Sequence, residues 1–150
     1  MIIYESQTTY KAVGELPAAF RLDQPEMIPQ YMEGAFDDRP MQEQFWVILL
    51  NRKNQPICRE LCTIGTISAT LVSSQEVFRL AIAKGATAII LVHNHPSGDP
   101  SPSPADMSTT KSVYLAGKQL NITVHDHVII GSPGRYYSFQ ERGLMDTYAK

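Results

Sequence analysis

His93 and His95, two residues apart, and Asp106 a short loop further on are the side chains most able to do chemistry in this chain. Two imidazoles and a carboxylate are the ligand types of catalytic zinc, which takes three protein ligands and leaves a fourth position for water. The apolar run Ala86–Val92 before them reads as a buried strand. Side chains alternate along a strand, so residues two apart leave its end on the same side. Pro96, Pro100, Pro102 and Pro104 follow, and each holds the residue before it in extended geometry: His95, Asp99, Ser101 and Ser103. Ser103-Pro104-Ala105-Asp106 is a helix start, with Ser103 as cap, Pro104 in the first position and Asp106 in the third. There the helix dipole favours the ionised carboxylate, which is the form a metal needs. Each part alone has an ordinary explanation, a stray histidine pair or a helix cap. Capping does not stop Asp106 from also turning an oxygen to a metal, and the stiff combination points to a site.

The elements that must hold this loop are legible on either side. Gln44–Leu50 reads as a strand apolar enough to be central, Asn51–Gln55 as a hairpin turn, and Ile57–Ile64 as the returning strand. Ser74 opens a helix with Val77, Phe78, Ala81 and Ile82 at helical spacing, stopped by Gly85. The helix from Pro104 carries Val113, Leu115 and Leu120 inward and ends before Asn121. Ile122–Ile130 is a further strand, and Gly131–Gly134 turns into a last one, Tyr136–Phe139. Residues 1–22 give weak signals, with a short edge strand expected near Tyr4–Tyr10. Asp23, followed by Pro25 and Glu26, is expected to cap a short helix reaching about Gly34. The expectation is one α/β (α+β) domain over 1–150, a mixed sheet flanked by helices, with a core at 41–145 and an N-terminal extension at 1–40.

Composition narrows the function classes. A chain of 150 residues can bury a sizeable core, and a net charge of -2 gives no global basic field to attract nucleic acid or acidic membranes. No apolar stretch approaches the ~20 residues that span a bilayer, and Met1–Glu5 lacks a signal-peptide start. Cys58 and Cys62 share a strand at ~3.3 Å per residue, too far apart for a disulfide. Free thiols and a cytoplasmic location are expected.

His93-x-His95, seven residues, Ser103, two residues and Asp106 together resemble the JAMM (JAB1/MPN+) metalloprotease signature. The run His-Asn-His-Pro-Ser-Gly-Asp-Pro-x-Pro-Ser resembles its RadC branch, as do Glu76–Arg79, Gly85-Ala86 and Asp126-His127-x-x-x-Gly131. The resemblance implies a fold akin to that of cytidine deaminases, zinc (Zn2+) as cofactor, and a zinc-bound water flanked by an upstream glutamate. Family spacing places that glutamate at Glu43, just before the first hairpin strand. Glu60 is the rival, read as a solvent-facing strand residue, while Glu33 and Glu76 are read as helical and superficial. By the same analogy Ser103 donates to a tetrahedral oxyanion, and the substrate is a peptide or protein-conjugate amide.

A second His-x-His, His125-Asp126-His127, is expected to share a strand face, but no stiff loop or third ligand follows it. The RadC pattern contains only Asp126-His127, which are therefore expected to support the fold or the metal shell, with His125 at the surface. Three other functions compete. A zinc deaminase needs His-x-Glu followed by Pro-Cys-x-x-Cys, which is absent here. DNA repair, a role long attached to RadC proteins, finds only scattered cations such as Arg52, Lys53, Lys111 and Lys118, so nucleic acid is not expected as a direct ligand. A non-catalytic scaffold is the third, and the intact set of ligand types argues against it.

Overall fold

The computed structural model describes residues 1–68 and 70–150. Strands β1 (Gln44–Leu50), β2 (Pro56–Ile64), β3 (Ala88–Asn94), β4 (Thr123–Ile130) and β5 (Tyr136–Ser138) form one sheet in the order β2-β1-β3-β4-β5. The β3–β4 pair is parallel and the other three pairs are antiparallel. Helices are α1 (Met27–Tyr31), α2 (Ser74–Ala83), α3 (Pro104–Leu120) and α4 (Leu144–Tyr148). This is the mixed sheet flanked by helices that the strand and helix signals called for, an architecture consistent with a JAB/MPN fold.

Both faces of the sheet are covered, which is why Phe45–Leu50 of β1 and Ala88–Val92 of β3 are apolar without alternation. Phe45, Val47, Leu49, Ile89 and Leu91 face α2 and α3, packing with Val77, Phe78, Ala81 and Val113. Ile48, Leu50, Ala88, Ile90 and Val92 face the other way, onto Leu22, Ile28 and Met32 of the segment before β1. Cys58 and Cys62 are free thiols on β2, and burial pushes the Cys62 thiol up to about 12. Among the described residues no helix is long and apolar enough to cross a membrane.

Several local expectations are corrected. No strand forms at Tyr4–Tyr10, where every residue is exposed. That stretch has few apolar side chains to bury, and Tyr10 instead sits under the Lys84 ammonium, 4.1 Å from its ring centroid. Asp23 caps nothing: Glu26 stands at the cap of α1 without a side-chain bond, and Asp23 accepts from Asn54 Nδ2 in the β1–β2 turn. Glu33 lies in the turns after α1 rather than in a helix. Strand β3 runs two residues further than Val92, so His93 and Asn94 belong to it. Ile82 is at the exposed side of α2.

In α3 Leu115 and Leu120 are largely exposed, and the inward stripe is Asp106, Thr109, Thr110, Val113 and Gly117. At ~100° per residue Leu115 stands about 200° round from Val113, and Leu120 is the last residue of the helix. Gly117 permits the close approach, since a Cβ there would lie 2.6 Å from the Ile122 carbonyl oxygen.

Candidate metal centre

His93 leaves the end of β3 on the α3 side of the sheet, opposite Phe45 of β1, and His95 follows just beyond the strand. The loop then turns back: Gly98 N donates to His95 O at 2.9 Å, and Ser101 N to Asp99 Oδ1 at 3.0 Å. Ser103 caps α3 as expected, its Oγ accepting from Asp106 N at 3.0 Å while Ser103 N donates to Asp106 Oδ2 at 2.8 Å. The capping box and the candidate ligand set therefore share Asp106.

This folding brings His93, His95 and Asp106 together, with one ligand atom from each lying within 4.8 Å of the others. His93 Nε2 is 3.0 Å from His95 Nε2 and 3.3 Å from Asp106 Oδ1, and His95 Nε2 is 3.1 Å from Asp106 Oδ2. Ligands at ~2.0–2.1 Å from a tetrahedral metal lie ~3.3–3.4 Å apart, so a cation fits between these atoms after adjustments of a few tenths of an ångström. His95 Nδ1 lies 2.8 Å from the Asp99 carbonyl oxygen, which only accepts, so Nδ1 carries a proton and Nε2 is the nitrogen turned to the cluster.

Charge suits a cation too. Burial pushes the Asp106 carboxyl up, but the imidazoles of His93 and His95 packed against it outweigh that and hold the group well below the usual carboxylate range. The bond to Asp106 likewise raises His95, with a contribution from the nearby Glu43 charge.

Glu43 itself is firmly seated beside the first strand. Asn94, between the two histidines, accepts from Gln44 N at 2.7 Å and donates to Gln42 O at 3.0 Å, clamping the residues on either side of Glu43. Gly65 N donates to the Glu43 carbonyl at 2.8 Å, and Ile67 N to its Oε2 at 3.0 Å. Glu60 is elsewhere: it lies beside Val47 on β2, two residues down the sheet from Phe45. It is half-buried rather than solvent-facing, and burial raises its pKa, with Arg79 and Glu76 as its charged neighbours.

His125 and His127 do not share a face. The β3–β4 register passes from Ile89↔Val124 to Ile90↔Asp126, a bulge that skips His125. His127 thereby turns to the helix-covered side, fully buried, with its Nε2 2.7 Å from His93 Nδ1. Burial holds the His127 imidazole well below the usual histidine range. His125 is exposed and lines a cleft of about 370 Å³ with Asp23, Ile28 and Asn54, which contains none of the cluster residues.

Asp126 ties the end of the chain to β4, accepting from His127 N, Gln140 N and Ser138 Oγ. Burial still pushes it up to about 6. Its native form holds a proton between pH ~4 and ~6 that the unfolded chain has lost, so stability falls as pH rises through that window. The stability of the parent relative to Asp126→Asn, from urea unfolding at several pH values, should therefore fall by about 2 kcal/mol from pH 4 to pH 6.5 and level off above that.

Sequence reasoning did not assign roles to Asn94, Thr110 or Gly131. Thr110 is discussed below. Gly131 marks where the loop between β3 and α3 rests on the β4–β5 turn: Ser132 N donates to Gly98 O at 2.9 Å, and a Cβ on Gly131 would lie 2.3 Å from that same oxygen. Gly131→Ala must push the loop off the turn, and it should lower stability by about 1–3 kcal/mol in thermal or denaturant unfolding.

A five-stranded mixed sheet with a His-x-His strand end and a helix-capping aspartate defines the class as a JAB-type domain carrying a group that could hold a metal ion. A family profile described as "RadC-like JAB domain" matches residues 22–144, a stretch that takes in α1 as well as the sheet. The chain is 52% identical over 103 residues to a UPF0758 protein of Symbiobacterium thermophilum, covering 69% of this chain and 44% of that one. It is 50% identical over 103 residues to a UPF0758 protein of Alkaliphilus metalliredigens, with the same coverage. A UPF0758 protein of Chlorobium chlorochromatii is 45% identical over 116 residues, covering 77% of this chain and 51% of that one. The chain belongs to the RadC family. It spans about half the length of the curated relatives it matches.

Proposed function

We propose that the chain is a zinc-dependent metallopeptidase or isopeptidase acting on a peptide or protein-conjugate amide in the cytoplasm. The observation that carries the reading is the convergence of three ligand atoms on one point, with the anchored Glu43 close enough for its charge to be felt at His95. His93, His95 and Asp106 would hold the ion. When bound, zinc supplies Lewis acidity, polarising a carbonyl oxygen and lowering the pKa of water in its open position to near ~7.

The remaining steps fall to the chain's own residues. Glu43 is the general base, taking a proton from the attacking water and returning it to the leaving nitrogen. Its seat on Ile67 N fixes one carboxylate oxygen and leaves the other to work. Ser103 donates its hydroxyl proton to the tetrahedral oxyanion. Its Oγ accepts from Asp106 N with a lone pair, so the cap does not use that proton. The test is hydrolysis of a panel of peptides and protein-conjugate linkages by the zinc-loaded protein and its Glu43→Gln variant. Cleavage that depends on Glu43 supports the reading; no cleavage by the parent favours a non-catalytic scaffold.

A further inference from the structure

Behind the cluster a line of short contacts runs into the core. Thr110 Oγ1 lies 2.6 Å from the backbone carbonyl oxygen of Asp106 and 2.5 Å from His127 Nδ1. His127 Nε2 lies 2.7 Å from His93 Nδ1, and His93 Nε2 faces the cluster. Polar atoms this close repel unless a single proton lies between them, so the whole line can be assigned by counting protons.

A carbonyl can only accept, so the single Thr110 proton goes to Asp106 O. Thr110 Oγ1 must then accept from His127, which places the His127 proton on Nδ1. Fully buried His127 is neutral and has no second proton, so its Nε2 accepts. The proton in the last contact belongs to His93 Nδ1, and His93, with one proton, is left with a bare lone pair on Nε2. With His127 neutral, no other assignment puts one proton in each of these three contacts.

We infer that Thr110 and His127 are positioning residues that fix the His93 proton on Nδ1 and so keep Nε2 free to ligate. The inference rests on reading the cluster as a metal site. Histidine ligands usually donate their second nitrogen to a carboxylate, backbone carbonyl or water. Here the acceptor is another imidazole, whose own tautomer is set by a threonine hydroxyl one helical turn from the third ligand. The orientation of α3 thus fixes Asp106 and the protonation pattern of His93 together, since Asp106 and Thr110 share one face of the helix. The Phe139 ring stacks on His127, centroids 4.8 Å apart, and limits its rotation.

Two measurements test this. In the metal-free parent, long-range 1H–15N spectra should show both His93 and His127 protonated on Nδ1; an Nε2-protonated His93 overturns the assignment without any metal being added. Thr110→Val keeps the branched shape and removes the hydroxyl. His127 Nδ1 then has no acceptor, and both imidazoles should switch to the Nε2-protonated form. That places a proton where the metal would bind. Zinc affinity, measured by competition with a chromophoric chelator, should fall ~10–100-fold, and Thr110→Ser should restore both affinity and tautomer. Unchanged tautomers or affinity in a folded Thr110→Val protein overturn the inference. If the parent takes up no zinc, the metal reading fails, and the tautomers still decide the proton assignment.

Discussion

Metal-free protein, purified without a histidine tag and titrated with zinc, is expected to take up one ion per chain, and His93→Ala is expected to bring that uptake close to zero. His93 is fully buried, its Nε2 lies 3.0 Å from one partner ligand and 3.3 Å from the other, and no second imidazole can take its place. His127 is the nearest candidate, but its Nε2 already meets His93 Nδ1 and its Nδ1 meets Thr110. Among the described residues three side chains form the cluster that could hold the ion, so removing one leaves two, fewer than any ordinary zinc site uses. Asp106→Asn should also lose uptake, because the amide cannot supply the negative charge that its two imidazole contacts favour. His125→Ala should leave uptake at one ion per chain, since that ring is exposed and pairs with Asn54 Oδ1 at 3.2 Å. Emission spectroscopy after dialysis gives the stoichiometry. If His93→Ala kept the ion and His127→Ala lost it, the ligands would have been misassigned.

The grouping of His93, His95 and Asp106 was legible because everything that makes it is local. Period-two alternation, proline restriction and the capping box all act within a few residues, and together they bring His93, His95 and Asp106 to one point. The supports were not legible, because they depend on contacts far apart in sequence. Asn94 holds the flanks of Glu43 across fifty residues, completing hydrogen bonds where the β1–β3 ladder ends. Nothing in Thr123–His127 marks the bulge, and a one-residue slip in a strand sends every later side chain to the opposite face. That slip separated His125 from His127, two residues that strict alternation would have kept together. Leu115 and Leu120 looked like core by residue type alone. The stripe on α3 is set by where Asp106 must face, and small or polar residues fill it. The long apolar runs of β1 and β3 implied cover on both sides, but not that the segment around α1 would provide it.

Glu43→Gln should separate metal uptake from catalysis. The amide keeps the size of the side chain and can still accept from Ile67 N, so the seat beside β1 survives. Asn94 and Gly65 bond only to the backbone around Glu43, and neither bond depends on the carboxylate. Uptake should stay at one zinc per chain, because Glu43 is not among the clustered ligands. What the variant loses is the ability to take a proton, and removing a general base typically costs ~10²–10⁴ in rate. Amide hydrolysis should therefore fall by that factor in kcat, read from cleavage of whichever substrate the parent accepts. Glu60→Gln is the matched control. Its carboxyl sits beside Val47 with Arg79 and Glu76 as charged neighbours, so its loss should change kcat less than about twofold. The reverse pattern, with Glu60→Gln inactive and Glu43→Gln active, would remove Glu43 from the mechanism. Loss of zinc from Glu43→Gln would instead make Glu43 part of the metal shell, and the proton acceptor would have to be sought elsewhere.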